Sequence, residues 1–452
     1  MKVASYWVSP PPLGNDSNPG THAQPWATFN KAATTMVAGD DCTFTDGTYD
    51  TEQSNFYSGS AAGGYITFQA ENPLGAELRF TDVAGGRLFD MANESYIRFV
   101  DLSLRGITTA GVQLIRMTDC DHIEFIRCEI YETRAYGVDI ISCSNILLQG
   151  CKVHTDNRIS DYSGDGIQIC GTSSDIMIDG CEVYNCDHNG IHVYAVDGCT
   201  IRNCIVRDCQ SHGISIGGSG VAVSRNVTVY SCRLSGAGSY DPTPAQEMGI
   251  RIHDVCHNIE VYNCDIEGSN GPGIGFSNCT GTVNVHDCSL YNNVINGSNW
   301  GSLFLENSEN ESPSITICNV IVYHTQASRT MVVDSNLEAH VNIDYNLYYD
   351  SNGTESIRRG GTTFGTYAAY SAIYEPHSVF SADPLFNDPA TNGFALQAAS
   401  PAIDAGTNTG LPYHGPAPDI GAHELEPRLK GCRPLRSLCN FIKMSLQGRV
   451  KL

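Results

Sequence analysis

The chain has 452 residues, and 26 Lys and Arg face 49 Asp and Glu for a net charge of −23. Arg428, Lys430, Arg433, Arg436, Lys443, Arg449 and Lys451 lie beyond residue 426, where there are no acids, so residues 1–426 carry 19 basic side chains against 49 acidic ones. So acidic a body excludes electrostatic binding of nucleic acid, and no apolar run reaches the ~18 residues of a membrane span.

Residues 1–40 read as an N-terminal cap. After the turn-rich Gly14-Asn-Asp-Ser-Asn-Pro-Gly20, the apolar Trp26, Phe29, Ala33, Met36 and Val37 recur at helical spacing. That spacing predicts one amphipathic helix plugging the open end of a repetitive body that begins near residue 41. Asp16 and Asn18 read as braces of the tight turn.

Residues 41–350 read as a solenoid, most regular between Cys120 and Asn293. One phrase, a glycine followed by alternating apolar residues, recurs as Gly137-Val-Asp-Ile140, Gly166-Ile-Gln-Ile169, Gly190-Ile-His-Val193, Gly213-Ile-Ser-Ile216, Gly249-Ile-Arg-Ile252 and Gly273-Ile-Gly-Phe276. A second phrase, Cys-x-aliphatic, keeps step with it from Cys128-x-Ile130 to Cys288-x-Leu290. Short alternating runs separated by Gly, Asn, Asp and Ser leave no room for helices. The reading is an all-β, single-stranded parallel β-helix with about three strands per coil, stacked at roughly 4.8 Å. The aliphatic residues point inward, and the residue between them points outward. Asp139, Gln168, His192, Ser215 and Arg251 therefore form one exposed column.

Most of the nineteen cysteines follow the same rhythm, so they read as free thiols in buried ladders, while Cys432 and Cys439 fall in the basic tail, and no CxxC pair is present to hold zinc. Two insertions, Thr155 to Gly164 and Ser235 to Met248, enter just ahead of a Gly-apolar strand and should wall the exposed sheet. Residues 351–426 read as an irregular C-terminal cap, and residues 427–452 as a disordered or non-native basic tail.

Tyr6-Trp-Val-Ser-Pro10, Asn15-Asp-Ser-Asn-Pro-Gly20, Pro25-Trp-Ala-Thr28 and Gly47-Thr-Tyr49 near the start resemble secreted bacterial right-handed β-helix proteins of the pectin-lyase-like fold. Asp383-Pro-Leu-Phe386, Ser400 to Gly406 and Asp419-Ile-Gly-Ala422 near the end do so too. The resemblance implies right-handed winding and an extracellular protein, although Met1 to Trp7 lacks the apolar core of a secretion signal. Within that fold, Ser163-Gly-Asp165, His188-Asn189, Ser211-His-Gly213 and Arg251-Ile-His253 are similar to the polygalacturonase-type hydrolase signature. His188 and Asn189 stand where that family has paired aspartates, leaving Asp187 as the nearest second carboxyl for hydrolysis with Asp165. Tyr136-Gly-Val-Asp139 is similar to the start of the alginate epimerase and lyase motif, with Ile141 in place of its histidine.

These residues predict β-elimination on a uronate-containing polysaccharide. Arg251 would neutralise a carboxylate, His192, His212 or His253 would take a proton, and Tyr136 or Tyr194 would give one. Gln168 and Asn189 join Tyr136, Asp139 and Tyr194 as candidate substrate contacts, and Asp139 with Asp165 is a candidate calcium pair. Two alternatives stand beside this: a hydrolase using Asp165 and Asp187, and a non-catalytic glycan-binding or structural solenoid. The expected partner is a polysaccharide, with no nucleic acid and no membrane, and the expected state is monomer or trimer.

Overall fold

Each copy of the repeat winds into one coil of three strands, as in Val138–Ile141, Ser144–Gln149 and Lys152–His154. The computed structural model describes residues 4–52, 55–81, 86–106, 113–133, 135–155, 164–218, 222–238, 247–293, 300–307, 312–324, 329–389 and 393–425. The basic tail and most of both insertions lie outside the described residues.

The first strands of successive coils pair in parallel into a twelve-stranded sheet running from Phe89–Ala92 to Thr362–Phe364, whose last strand alone is antiparallel. The second and third strands form the other walls, again in parallel register: Ile123, Ile146, Ile176 and Cys199 are successive partners, as are Ile130, Val153, Val183 and Val206. Inside the twelve-stranded sheet, Ile115, Val138, Ile167, Ile191, Ile214, Ile250 and Ile274 stack into one fully buried ladder. Burying each such side chain contributes roughly 1.5–3 kcal/mol, so the repeat itself is the core.

The glycine opening each phrase has a steric cause. A Cβ at Gly190 would lie 2.4 Å from Val206 Cγ1 and 2.7 Å from the Gly213 carbonyl oxygen, so the corner admits no side chain. The opposite corners turn through left-handed residues, and there Asn145, Asn226 and Asn258 sit at φ between 52° and 55°. Their amides donate along the stack, Asn145 to Asp121 and Asn226 to Asp197. They brace turns, as residues that tolerate this conformation should.

All described cysteines are free, and all but Cys170 and Cys318 are buried. The predicted capping helix is a single short one, Phe29–Ala33, capped by Thr28. Phe29 closes the bore against Phe44, Phe68 and Phe89, whereas Val37, expected on the buried face, is exposed beyond the end of the helix. Asp16 accepts from the Ala27 and Thr28 amides, so it is a turn brace. Coil pairing extends past both expected boundaries, from Ser5–Val8 to Val379–Phe380. Beyond it the chain folds back along the flank, where Phe386, Phe394, Leu396 and Ile420 pack with Ile321 and Leu347. The far end of the bore is filled instead by Tyr348, Tyr367 and Tyr370. Among the described residues no helix is long and apolar enough to cross a membrane.

Candidate active site

On the outer side of the twelve-stranded sheet, Asp90, Arg116, Asp139, Gln168, His192, Ser215, Arg251 and Gly275 are register partners in that order. Residues far apart in the chain thus become neighbours about 4.8 Å apart along a wall. A parallel column beside it holds Tyr194, Gly217 and His253. A Cβ at Gly217 would lie 2.3 Å from the His253 ring, so this glycine makes room for the imidazole.

The centre of the arrangement is Asp165, at the corner just ahead of Gly166 and 2% exposed. Its Oδ1 accepts from His188 Nδ1 at 2.8 Å, the Asn189 amide at 3.0 Å and Asn189 Nδ2 at 2.9 Å, while Oδ2 faces His192 Nδ1 at 3.0 Å. Burial pushes this carboxyl up, but the bonds from His188 and His192 outweigh it and hold it well below the usual carboxylate range. An ionised Asp165 fixes the proton of His192 on Nδ1. Nε2 has no partner among the described residues, which leaves it a free acceptor on the outer side of the sheet. Asn189, expected to touch substrate, is buried and instead brackets Asp165 from below while its Oδ1 receives the His212 amide.

His212 is also buried, and its Nδ1 accepts the Met248 amide at 2.9 Å. That bond leaves the ring hydrogen on Nε2, and burial first, then the charge of Arg251, push the imidazole well below its ordinary value. His212 is therefore a neutral donor, not the base the sequence allowed. Arg251 Nη1 lies 3.4 Å from His212 Nε2, so two donors sit side by side. Arg251 Nε is buried without a hydrogen-bond partner. His253 has both nitrogens engaged, Nδ1 with Asp254 at 2.8 Å and Nε2 with the Ser215 hydroxyl at 3.3 Å, so it too is a poor base. Its pKa is lowered by burial and then by Arg251.

Burial pushes Asp139 up to about 6, against the opposing pull of Arg116 and Arg87. Burial first, then the Asp165 and Asp139 charges, raise the Tyr136 phenol, which also meets Gln168; Tyr136 stays protonated at neutral pH. The Tyr194 ring sits 5.9 Å from that of His192. Asp187 is 3% exposed and lines, together with Asp165, Val153, His154 and Thr155, a small pocket at the coil corner. The calcium pair fits poorly. Calcium takes six to eight oxygens, whereas both Asp165 oxygens already hold protein donors. Among the described residues no group of three or more His, Cys, Asp or Glu is placed to hold a metal.

Sequence reasoning missed Arg116 and Met248. Arg116 lies 23 residues before Asp139, at the repeat period, but its strand lacks the adjoining glycine that marks the others. Met248 acts through its backbone, which leaves no residue-type signal.

The fold is a parallel β-helix with a row of polar side chains along the outer side of one sheet. The model of the right-handed β-helix region matches residues 87–240 and 155–365, and the chain belongs to that family. YwoF of Bacillus subtilis (strain 168), an uncharacterized protein, is 22% identical over 437 residues, covering 86% of this chain and 91% of that one. YclG of the same organism, also uncharacterized, is 27% identical over 180 residues, which are 37% of this chain and 27% of YclG. Among solved structures, pectate lyase Pel9A superposes with a TM-score of 0.60 at 19% identity, covering 94% of this chain and 97% of that one. This likeness is one of fold, the pectin-lyase-like solenoid.

Proposed function

We propose that this protein is a polysaccharide-active enzyme that cleaves a uronate-containing chain by β-elimination in the cleft between Tyr136 and Arg251. The observation that carries the reading is the pinned Asp165–His192 pair. It presents an imidazole Nε2 as base two register steps from a guanidinium whose Nε has no partner. Arg251 with the Nε2–H of His212 receives the sugar carboxylate, which acidifies the proton on the neighbouring carbon. His192 Nε2 takes that proton, the carbon–oxygen bond to the departing sugar breaks, and a carbon–carbon double bond forms in its place. Tyr136 returns a proton to the leaving oxygen. Elimination balances without water or redox partner, and no step runs through calcium. The likeness in fold to a pectate lyase supports the same reading.

A second reading, hydrolysis, is favoured by one observation: the environments of Asp139 and Asp165 push their carboxyls in opposite directions, as an acid and base pair requires. Incubation with pectate, alginate, chondroitin and neutral glycans decides between them. Elimination yields the ultraviolet absorbance of an unsaturated uronate, hydrolysis yields new reducing ends without it, and binding without either marks a non-catalytic solenoid.

A further inference from the structure

The column that holds His192 and Arg251 stays polar in one direction and ends in buried apolar residues in the other. Beyond Arg251 the next outward positions are Gly275, Phe304 and Val332. A Cβ at Gly275 would lie 2.2 Å from Met248 Sδ, and Met248, Phe304 and Val332 are buried together against Trp300. A glycan held at His192 therefore cannot lengthen along the column past Arg251. In the other direction the wall continues through Gln168 and Asp139 to Arg116.

At that end two opposite charges sit side by side without pairing. Asp139 is 2% exposed, and its Oδ1 has no hydrogen-bond partner. Arg116, its register neighbour, has a buried Nε without a partner. Among the described residues neither makes an ion pair. Other nearby polar groups are already committed, since Arg87 bonds Gln113 Oε1 through Nε and Nη2 and Asp90 through Nη1. Leaving a buried donor and a buried acceptor unmatched is unfavourable. A ligand carrying an anionic acceptor next to a hydroxyl donor would satisfy both. A uronate residue carries that combination on one ring.

We infer that Arg116 and Asp139 form a second sugar-acid subsite, three coils upstream of His192, in which Arg116 takes the carboxylate of a uronate and Asp139 Oδ1 accepts one of its hydroxyls. The inference rests on the reading of the cleft as a uronate site and extends it. Three register steps place the subsite about 14 Å from His192, and five place it about 24 Å from Arg251. A disaccharide at Arg251 and His192 does not reach it, whereas a chain of several uronates does. The cleft therefore measures length in one direction only.

The test is calorimetric titration of the full chain with oligogalacturonates and oligoalginates from disaccharide to hexasaccharide, at one salt concentration, for the wild type, Arg116→Gln and Arg116→Lys. Wild-type affinity is expected to rise with length. Arg116→Gln is expected to weaken the hexasaccharide about tenfold, the disaccharide less than about twofold, and Arg116→Lys to fall between them. A cooperative melting transition establishes that each variant is folded; if the Gln variant fails to fold, the Lys variant carries the comparison. Equal affinities of wild type and folded variants at every length overturn the subsite while leaving a wild type that still cleaves uronates as proposed. An equal loss with a neutral hexasaccharide overturns the carboxylate assignment. A wild type that neither binds nor cleaves any uronate removes the functional reading, and the subsite with it.

Discussion

Asp165→Asn changes one atom and tests the site at its centre. The amide keeps the shape of the carboxylate, and its oxygen still accepts from His188 Nδ1 and from Asn189. Where Oδ2 faced His192 Nδ1 there is now an NH₂ group, which can only donate. His192 must then carry its hydrogen on Nε2, and the groove loses its base. In a histidine–aspartate pair elsewhere the same change of tautomer lowers turnover by about 10⁴, and a loss of about 10³–10⁴ is expected here with substrate affinity nearly unchanged. A net 1.5–3 kcal/mol attends each bond to a charged group, against about 1 for a neutral one, so folding should lose about 2–3 kcal/mol at neutral pH. The folded-state pKa of Asp165 lies below its unfolded value, so this stability is present above about pH 4 and is lost as pH falls further. The direct assay is nitrogen-15 NMR of the imidazole, which distinguishes Nδ1–H from Nε2–H without any substrate. A His192 resonance that keeps the Nδ1–H pattern in the variant, or turnover within tenfold of wild type, would refute the argument.

Asp139, whose folded pKa is raised to about 6, opposes folding above that value, and this opposition disappears as pH falls toward its unfolded pKa of about 4. Asp139→Asn should therefore raise stability at pH 7 and leave it unchanged near pH 4, as followed by denaturant unfolding at the two pH values. Gly217→Ala should destabilise the protein by about 1–3 kcal/mol, because the added methyl lies within 2.6 Å of three atoms of the His253 ring; a melting curve identical to wild type would contradict this. Because both Asp165 oxygens hold protein donors, turnover is expected to survive extensive chelation with EDTA and to gain little from added calcium. Loss on chelation and recovery with calcium would show that the cleft recruits the metal through other oxygens.

Much of this architecture could be read from the order of residues. A solenoid repeats one steric problem per coil, so the Gly190 corner, the inward Ile191 and Val193 and the outward His192 between them recur as one phrase per coil. Position within that phrase set the neighbours Gln168, His192, Ser215 and Arg251 on one wall, because parallel register converts equal phase in the coil into adjacency in space. Phase cannot specify how a side chain is used once it arrives. Whether Asn189 meets solvent or Asp165, and which nitrogen of His212 keeps its hydrogen, depend on the Asp165 carboxylate and the Met248 amide. Those contacts join coils at irregular corners rather than along the repeating strands. Only the folded chain decides them, since a hydrogen bond is set by distances of a few tenths of an ångström and a repeat period fixes position only to one residue.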